Sequence, residues 1–201
     1  MTKVALGIDI GGTNTDFAFV GRDGEILIEN RLSTKNFQDV EVFVAALAEK
    51  AMLTLKKHDK SLDIIGLGIG APMGNINKGT IEQAADLPWK GIIPLAELIK
   101  EHINLPILVT NDANAAAVGE MVYGGAKGMR NFVVITLGTG LGSGFVCDGK
   151  LLYGQDGFAG EVGHTIVRPG RTNRECGCGR LGCLETYVSA TGITRTLCKL
   201  L

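Results

Sequence analysis

The chain has 201 residues, 45% of them apolar and 20% charged, enough to bury one large core or two small ones. Its 20 basic and 21 acidic residues nearly cancel, leaving a formal charge of −1. That balance argues against nucleic acid or an anionic membrane surface as the main partner. Glycine, at 29 residues, is the compositional outlier and points to many tight turns or close backbone approaches.

Val4 to Ile10 reads as a buried strand that enters a glycine turn at Gly11-Gly12. Asp9 ends the opening apolar run too early for a signal-peptide core. Phe17 to Val20 is a second strand, Asp23-Gly24 a hairpin signal, and Ile26 to Ile28 a third strand. Val40, Phe43, Val44, Leu47, Ala48, Ala51 and Leu55 recur at spacings of three and four, the stripe of an amphipathic helix ending at Lys56-Lys57-His58. Ile64 to Ile69 is a buried strand, Pro94 opens a short helix, Leu105 to Thr110 is another strand, and a helix from Ala113 stops near Gly124-Gly125. This alternation predicts an α/β fold with a largely parallel sheet.

The order of elements then starts again. Val133 to Leu137 enters the turn Gly138-Thr139-Gly140; Phe145-Val146, Asp148-Gly149 and Leu151 to Tyr153 follow, offset by about 125 to 129 residues from the first set. Two related lobes are expected, 1–115 and 116–201, with their glycine hairpins facing a cleft. The longest uncharged stretch, Asn131 to Cys147, is broken by four glycines and is shorter than the roughly 20 apolar residues of a spanning helix, so no membrane association and a cytoplasmic location are expected.

Asp9, Gly11, Gly12, Thr13 and Asn14 in one hairpin, and Gly138, Thr139 and Gly140 in the other, offer backbone amides and hydroxyls suited to phosphate oxygens. Asp9 can hold Mg²⁺, which would offset its repulsion of phosphates. Neither hairpin is a Walker A loop, since no Gly-Lys-Ser/Thr follows, and neither leads into a helix as a dinucleotide fingerprint does. Tight turns without ligand function are the competing explanation. Asn111-Asp112 falls at the end of a strand and the start of a helix, where open α/β sheets place their ligands. Asp112 suits a base in phosphoryl transfer, and equally a plain N-cap.

Five cysteines, three of them (Cys176, Cys178 and Cys183) within eight residues, suggest a metal site more than a disulfide framework. With His164 they make a closed three-Cys, one-His set of the kind that holds structural zinc. Reduced buried thiols or a disulfide are the alternatives.

With these motifs the chain resembles the ROK family (repressors, open reading frames, sugar kinases) over essentially its whole length. The resemblance rests on Asp9-x-Gly-Gly-Thr13, Asn111-Asp112-Ala-Asn114, Leu137-Gly-Thr-Gly-Leu-Gly-Ser-Gly144, Glu161-Val-Gly-His164 and the Cys-x-Cys-Gly-x-x-Gly-Cys-x-Glu string ending at Glu185; Glu185 to Thr191 is most similar to its glucokinase branch. It implies an actin-like ATPase (ribonuclease H-like) fold with ATP between two lobes. It also implies ATP-dependent phosphorylation of a hexose, glucose at its 6-hydroxyl, with Asp112 as base. Asn111, Glu161, His164 and Glu185 would bind the other sugar hydroxyls, and His164 would also ligate zinc. Glu161 and Glu185 as solvated surface charge are the plain alternative.

Three departures stand out. Asp86 stands where the family often has Asn, which bears on which sugar fits. Asp16 adds a second negative charge beside the first hairpin, and nothing in the sequence accounts for it. The chain also stops inside a predicted helix, Ile193 to Leu201, whereas family members run on, so a C-terminal truncation and an incomplete second lobe are expected. The competing expectations are an N-acylmannosamine or other hexose kinase of the family, and an inactive sugar-binding fragment. A sugar-responsive repressor would need a helix-turn-helix ahead of Lys3-Val4, for which no room is expected. Apolar surface left open by an incomplete lobe would favour association, and a homodimer is compatible with it.

Overall fold

The computed structural model describes residues 2–58, 61–170 and 173–201, and the chain divides into two compact units, Met1–Ala115 and Ala116–Leu201. The first begins with an antiparallel meander of β1 (Thr2–Ile10), β2 (Thr15–Val20) and β3 (Ile26–Leu32). Period-two patterning sets its register: Val4, Leu6, Ile8 and Ile10 all point into the core. The Asp23-Gly24 turn works because Gly24 adopts φ +86°. α1 (Val40–His58) buries Phe43, Val44, Leu47, Ala48, Ala51 and Leu55 and crosses back to β4 (Leu62–Ala71), parallel to β1. A small sheet of β5 (Gly74–Asn75), β6 (Thr80–Glu82) and β7 (Ile92–Ile93), then α2 (Leu95–Lys100), lead to β8 (Ile107–Asn111), parallel to β4. The main sheet has the order β3-β2-β1-β4-β8.

Phe43 anchors the core of this unit, with its ring 4.6 Å from Trp89 and 5.8 Å from Phe37. Removing a fully buried ring of this kind costs about 3–5 kcal/mol. The crossovers matter for function because they bring the carboxyl ends of β1, β4 and β8 to one edge. There Asp9 pairs with Gly70, and Ala71 with Asn111.

α3 (Asp112–Val122) begins at the end of the first unit and runs into the second. The second unit repeats the meander with β9 (Phe132–Leu137), β10 (Leu141–Cys147) and β11 (Lys150–Leu151). Its Asp148-Gly149 turn has φ of +52° and +73°, the two positive values that a two-residue hairpin of matching twist requires. After β11 come a 3-10 turn at Val162–His164 and the helices α4 (Glu185–Val188) and α5 (Ala190–Leu200). Ser189 caps α5, its Oγ accepting from the Gly192 amide at 3.1 Å. No helix among the described residues is long and apolar enough to cross a membrane.

Candidate functional site

In the first unit, the carboxyl edge of the sheet gathers Asp9, Gly70, Asn111 and Asp112. Asn111 carries the cap of α3: its Oδ1 accepts from the Ala113 amide at 2.8 Å and the Asn114 amide at 3.4 Å. Asp112 is the first helical residue and not the N-cap; it is exposed, with Oδ1 2.8 Å from the Ala113 amide. Asn111, expected to bind sugar, therefore spends its carbonyl oxygen on the helix and keeps its amide NH₂ for other work.

Asp9 reaches solvent, but protein atoms crowd its carboxyl, and a Cβ on Gly70 would stand 3.8 Å from its Oδ1. This crowding, then the like charges of Asp112 and Asp16, push the Asp9 carboxyl above its ordinary range. Asp16 itself is answered by Arg31, its cross-strand partner, which donates from Nε at 2.5 Å and from Nη2 at 2.9 Å. The fork explains how a second acid is accommodated beside the hairpin, and only the strand register reveals it.

The first glycine hairpin is tighter than a simple amide cradle. Gly11 spends its amide on the Asn14 carbonyl at 2.9 Å. A Cβ on Gly12 would overlap the carbonyl oxygen of Asp86, so Gly12 is required by the approach of the Ala84–Pro88 loop. Lys90 holds that loop: its Nζ donates to the carbonyls of Ala85 and Leu87 at 2.9 Å and of Ala84 at 3.4 Å. No sequence pattern marks Lys90 for this task.

In the second unit, His164, Cys176, Cys178 and Cys183 come together, their ligand atoms all within 4.8 Å of one another. Cys178 Sγ and Cys183 Sγ are 3.8 Å apart, and Cys176 Sγ lies 3.5 Å from His164 Nδ1. A tetrahedral ion with bonds of about 2.3 Å to sulfur and 2.0–2.1 Å to nitrogen has edges of roughly 3.8 and 3.5 Å, so the donor set fits zinc. Its thiols differ in environment. Burial pushes Cys176 and Cys183 up, whereas at Cys178 burial, the largest single influence, is outweighed by the sum of hydrogen bonds from the Arg180 side chain and backbone and from Cys176 and Cys183, which bring the thiol down to about 6.

His164 turns Nδ1 to the thiols and to Glu185, whose Oε1 is 3.6 Å away, and Nε2 towards Glu161 Oε2 at 3.9 Å. All three side chains are partly buried rather than solvated surface charge, at 26% exposure for His164, 33% for Glu161 and 19% for Glu185. Glu185 also reaches the second glycine hairpin, where its Oε2 accepts from the Leu141 amide at 3.4 Å. In that hairpin Gly138 donates to the Gly140 carbonyl at 3.1 Å, while Ala190 N and Thr191 Oγ1 donate to the carbonyls of Gly138 and Thr139 at 3.0 and 2.7 Å. Gly138, like Gly11, thus keeps its amide within the turn.

A mixed sheet whose parallel strands bring carboxylates to one edge, and a glycine hairpin tied to a three-Cys, one-His cluster, define an α/β protein with two glycine hairpins and a candidate metal centre. Residues 5–199 match the ROK family, and the chain belongs to it. It is 41% identical over 192 residues to a glucokinase of Halalkalibacterium halodurans, and 38% identical over 191 residues to an N-acetylmannosamine kinase of Escherichia fergusonii. Each match covers 94% of this chain but only 58% and 62% of the relative, so the chain spans about three-fifths of their length. Among solved structures, a ROK family glucokinase from Streptomyces griseus in complex with glucose and AMPPNP superposes with a TM-score of 0.81 at 35% identity, covering 96% of this chain and 59% of that one. A ROK family transcriptional regulator superposes with a TM-score of 0.86 at 28% identity, covering all of this chain and 50% of that one. The fold is therefore the actin-like ATPase fold of the ROK glucokinases.

Proposed function

We propose that this chain carries the hexose- and phosphate-binding residues of an ATP-dependent hexose kinase that phosphorylates glucose at its 6-hydroxyl. The observation that carries this reading is the pair of carboxylates, Asp9 and Asp112, at the carboxyl edge of one sheet, close enough that the charge of Asp112 helps to raise the Asp9 carboxyl. Two acids so placed can divide the work of phosphoryl transfer, one on the phosphate side and one on the hydroxyl. Asp112, exposed and with the cap of α3 already supplied by Asn111, orients the hexose hydroxyl and takes its proton late in the transfer. Asp9 faces the phosphates, where Mg²⁺, when bound, would neutralise the charge that crowds it.

Gly11, Gly12, Thr13 and Asn14 in the first unit, and Gly138, Thr139 and Gly140 in the second, serve the ATP phosphates. Asn111, through its amide, and Glu161, His164 and Glu185 bind the remaining sugar hydroxyls, for which carboxylates and imidazole supply acceptors and donors. Zinc held by His164, Cys176, Cys178 and Cys183 would fix the imidazole through Nδ1 and leave Nε2 for the sugar.

The test is ADP release with ATP, Mg²⁺ and a panel of glucose, mannose, fructose, N-acetylglucosamine and N-acetylmannosamine, run beside calorimetric titration of each sugar. Glucose-dependent ADP, absent from Asp112→Ala, is expected. ADP with N-acetylmannosamine in place of glucose would overturn the substrate. Glucose binding without ADP would leave a binding fragment, and neither signal would reject the reading.

A further inference from the structure

Arg174 makes a set of contacts that the metal cluster does not explain. Its backbone belongs to the cysteine loop, where its carbonyl accepts from the Gly182 amide at 2.9 Å beside the Glu175–Leu181 bridge. Its side chain leaves that loop. Nη1 donates to the carbonyls of Thr186 at 2.6 Å and Gly192 at 2.9 Å, and Nη2 donates to Thr196 Oγ1 at 2.8 Å. The guanidinium also stacks over the Tyr187 ring at 4.7 Å. All four partners lie on α4, α5 or the corner between them.

Thr186 Oγ1 ties the start of α4 back to the Cys183 carbonyl at 2.7 Å, and Arg174 is the side chain that spans from the loop to both α4 and α5. α4 is a single turn, so its last carbonyls lack intrahelical partners, and Arg174 takes up one of them, Thr186 O. The corner is also tight, since a Cβ on Gly192 would come within 2.8 Å of the Glu185 carbonyl oxygen. On its other side it grips the second glycine hairpin through Ala190 N to Gly138 O, Thr191 Oγ1 to Thr139 O, and Glu185 Oε2 to the Leu141 amide. The corner therefore stands between the cysteine loop and the hairpin.

We propose that Arg174 is a positioning residue that locks the α4–α5 corner to the cysteine loop, so that Glu185 and the Gly138–Gly140 hairpin are set together. Arginine suits this task and lysine does not. Two carbonyls and a hydroxyl taken by one rigid fork, with a ring beneath it, need a planar cation with several fixed donors. A metal held by His164, Cys176, Cys178 and Cys183 would fix the loop, and the Arg174 fork links that loop to the corner. The consequence for ligands rests on the hexose kinase reading; the mechanical link does not.

The test compares the wild-type chain with Arg174→Ala and Arg174→Lys by zinc content, hydrogen exchange over 138–141 and 185–192, and titration with glucose and AMPPNP. Both variants are expected to keep their zinc and to exchange faster in both segments. Their dissociation constants for glucose and AMPPNP should each rise about tenfold, the loss expected for charge-assisted hydrogen bonds. A merely structural role would lower the folded fraction and leave the affinity of the folded protein unchanged. Faster exchange in 185–192 with no change in 138–141 would overturn the coupling, as would no change in either. Should Arg174→Ala fail to fold, Arg174→Lys, which keeps the charge without the fork, decides by the same comparison. If the wild-type chain binds no hexose while the variants still exchange faster in both segments, the link stands and the hexose reading falls.

Discussion

Asp9 shows how much a single carboxylate can report. Its ionised form is disfavoured in the folded chain, first by the protein atoms around it and then by Asp112 and Asp16. A carboxyl raised in the native state costs stability wherever it is ionised, and that cost fades as pH falls through its raised value towards the ordinary 3.8. Asp9→Asn is therefore expected to stabilise the chain near pH 7 by no more than about 1 kcal/mol, since the group reaches solvent. The gain should vanish below about pH 4, and urea unfolding at the two pH values measures it. Asp112→Asn should bring the Asp9 titration downward in a carboxyl-carbon NMR experiment. Asp112→Ala is expected to cut hexose turnover by about 10²–10⁴-fold, the usual worth of a positioned base, while the sugar dissociation constant stays within about threefold. Equal losses in turnover and binding would move Asp112 from base to binding group.

At the scale of elements, the loop Ala84–Pro88 and the first hairpin act as one piece, because Asp86 occupies the space a side chain on Gly12 would need. Gly12→Ala must push backbone against backbone, and a loss of about 1–3 kcal/mol in denaturant unfolding is expected. A loss below a few tenths would mean that the loop yields. Hydrophobic period made the long elements legible in the sequence: α1 from its stripe, β1 and β9 from their apolar runs, and the hairpin turns from Asp23-Gly24 and Asp148-Gly149. The sheet of β5, β6 and β7 was not legible, since strands of two or three residues are shorter than any period. α4 escaped for the same reason, being a single turn that tertiary partners hold in place. The candidate residues could be named from their motifs, but their division of labour could not. Asn111 as the cap, Arg31 as the counter-charge to Asp16, and the fork of Arg174 all depend on register and packing between distant segments.

The two units differ most in how they are held together. The main apolar cluster, from Val4 to Val109, lies wholly in the first unit. Among the described residues of the second, the buried apolar side chains are Ala117, Ala126, Leu141 and Val146, with Cys176 and Cys183. Meanwhile Val133, Ile135 and Leu137 on β9, and Ile193, Leu197 and Leu200 along α5, stand exposed. A unit with so small a core needs cross-links, and the Cys176, Cys178, Cys183 and His164 cluster supplies the chemistry for one. Removal of metal by a chelator is therefore expected to loosen the second unit and leave the first intact. The chain's one tryptophan, Trp89, lies buried in the first core at 5% exposure and reports on that unit alone. Its fluorescence midpoint in urea should shift little on chelation, while far-UV dichroism shows an earlier transition. Thiol reactivity supplies an independent count. Cys147 and Cys198 are exposed and should react at once in the zinc-loaded protein, with the three cluster cysteines following only after chelation. Five fast thiols before chelation would show the cluster unmetallated. A Trp89 midpoint that falls together with the dichroism would show that the units unfold as one, and that the metal braces the whole chain.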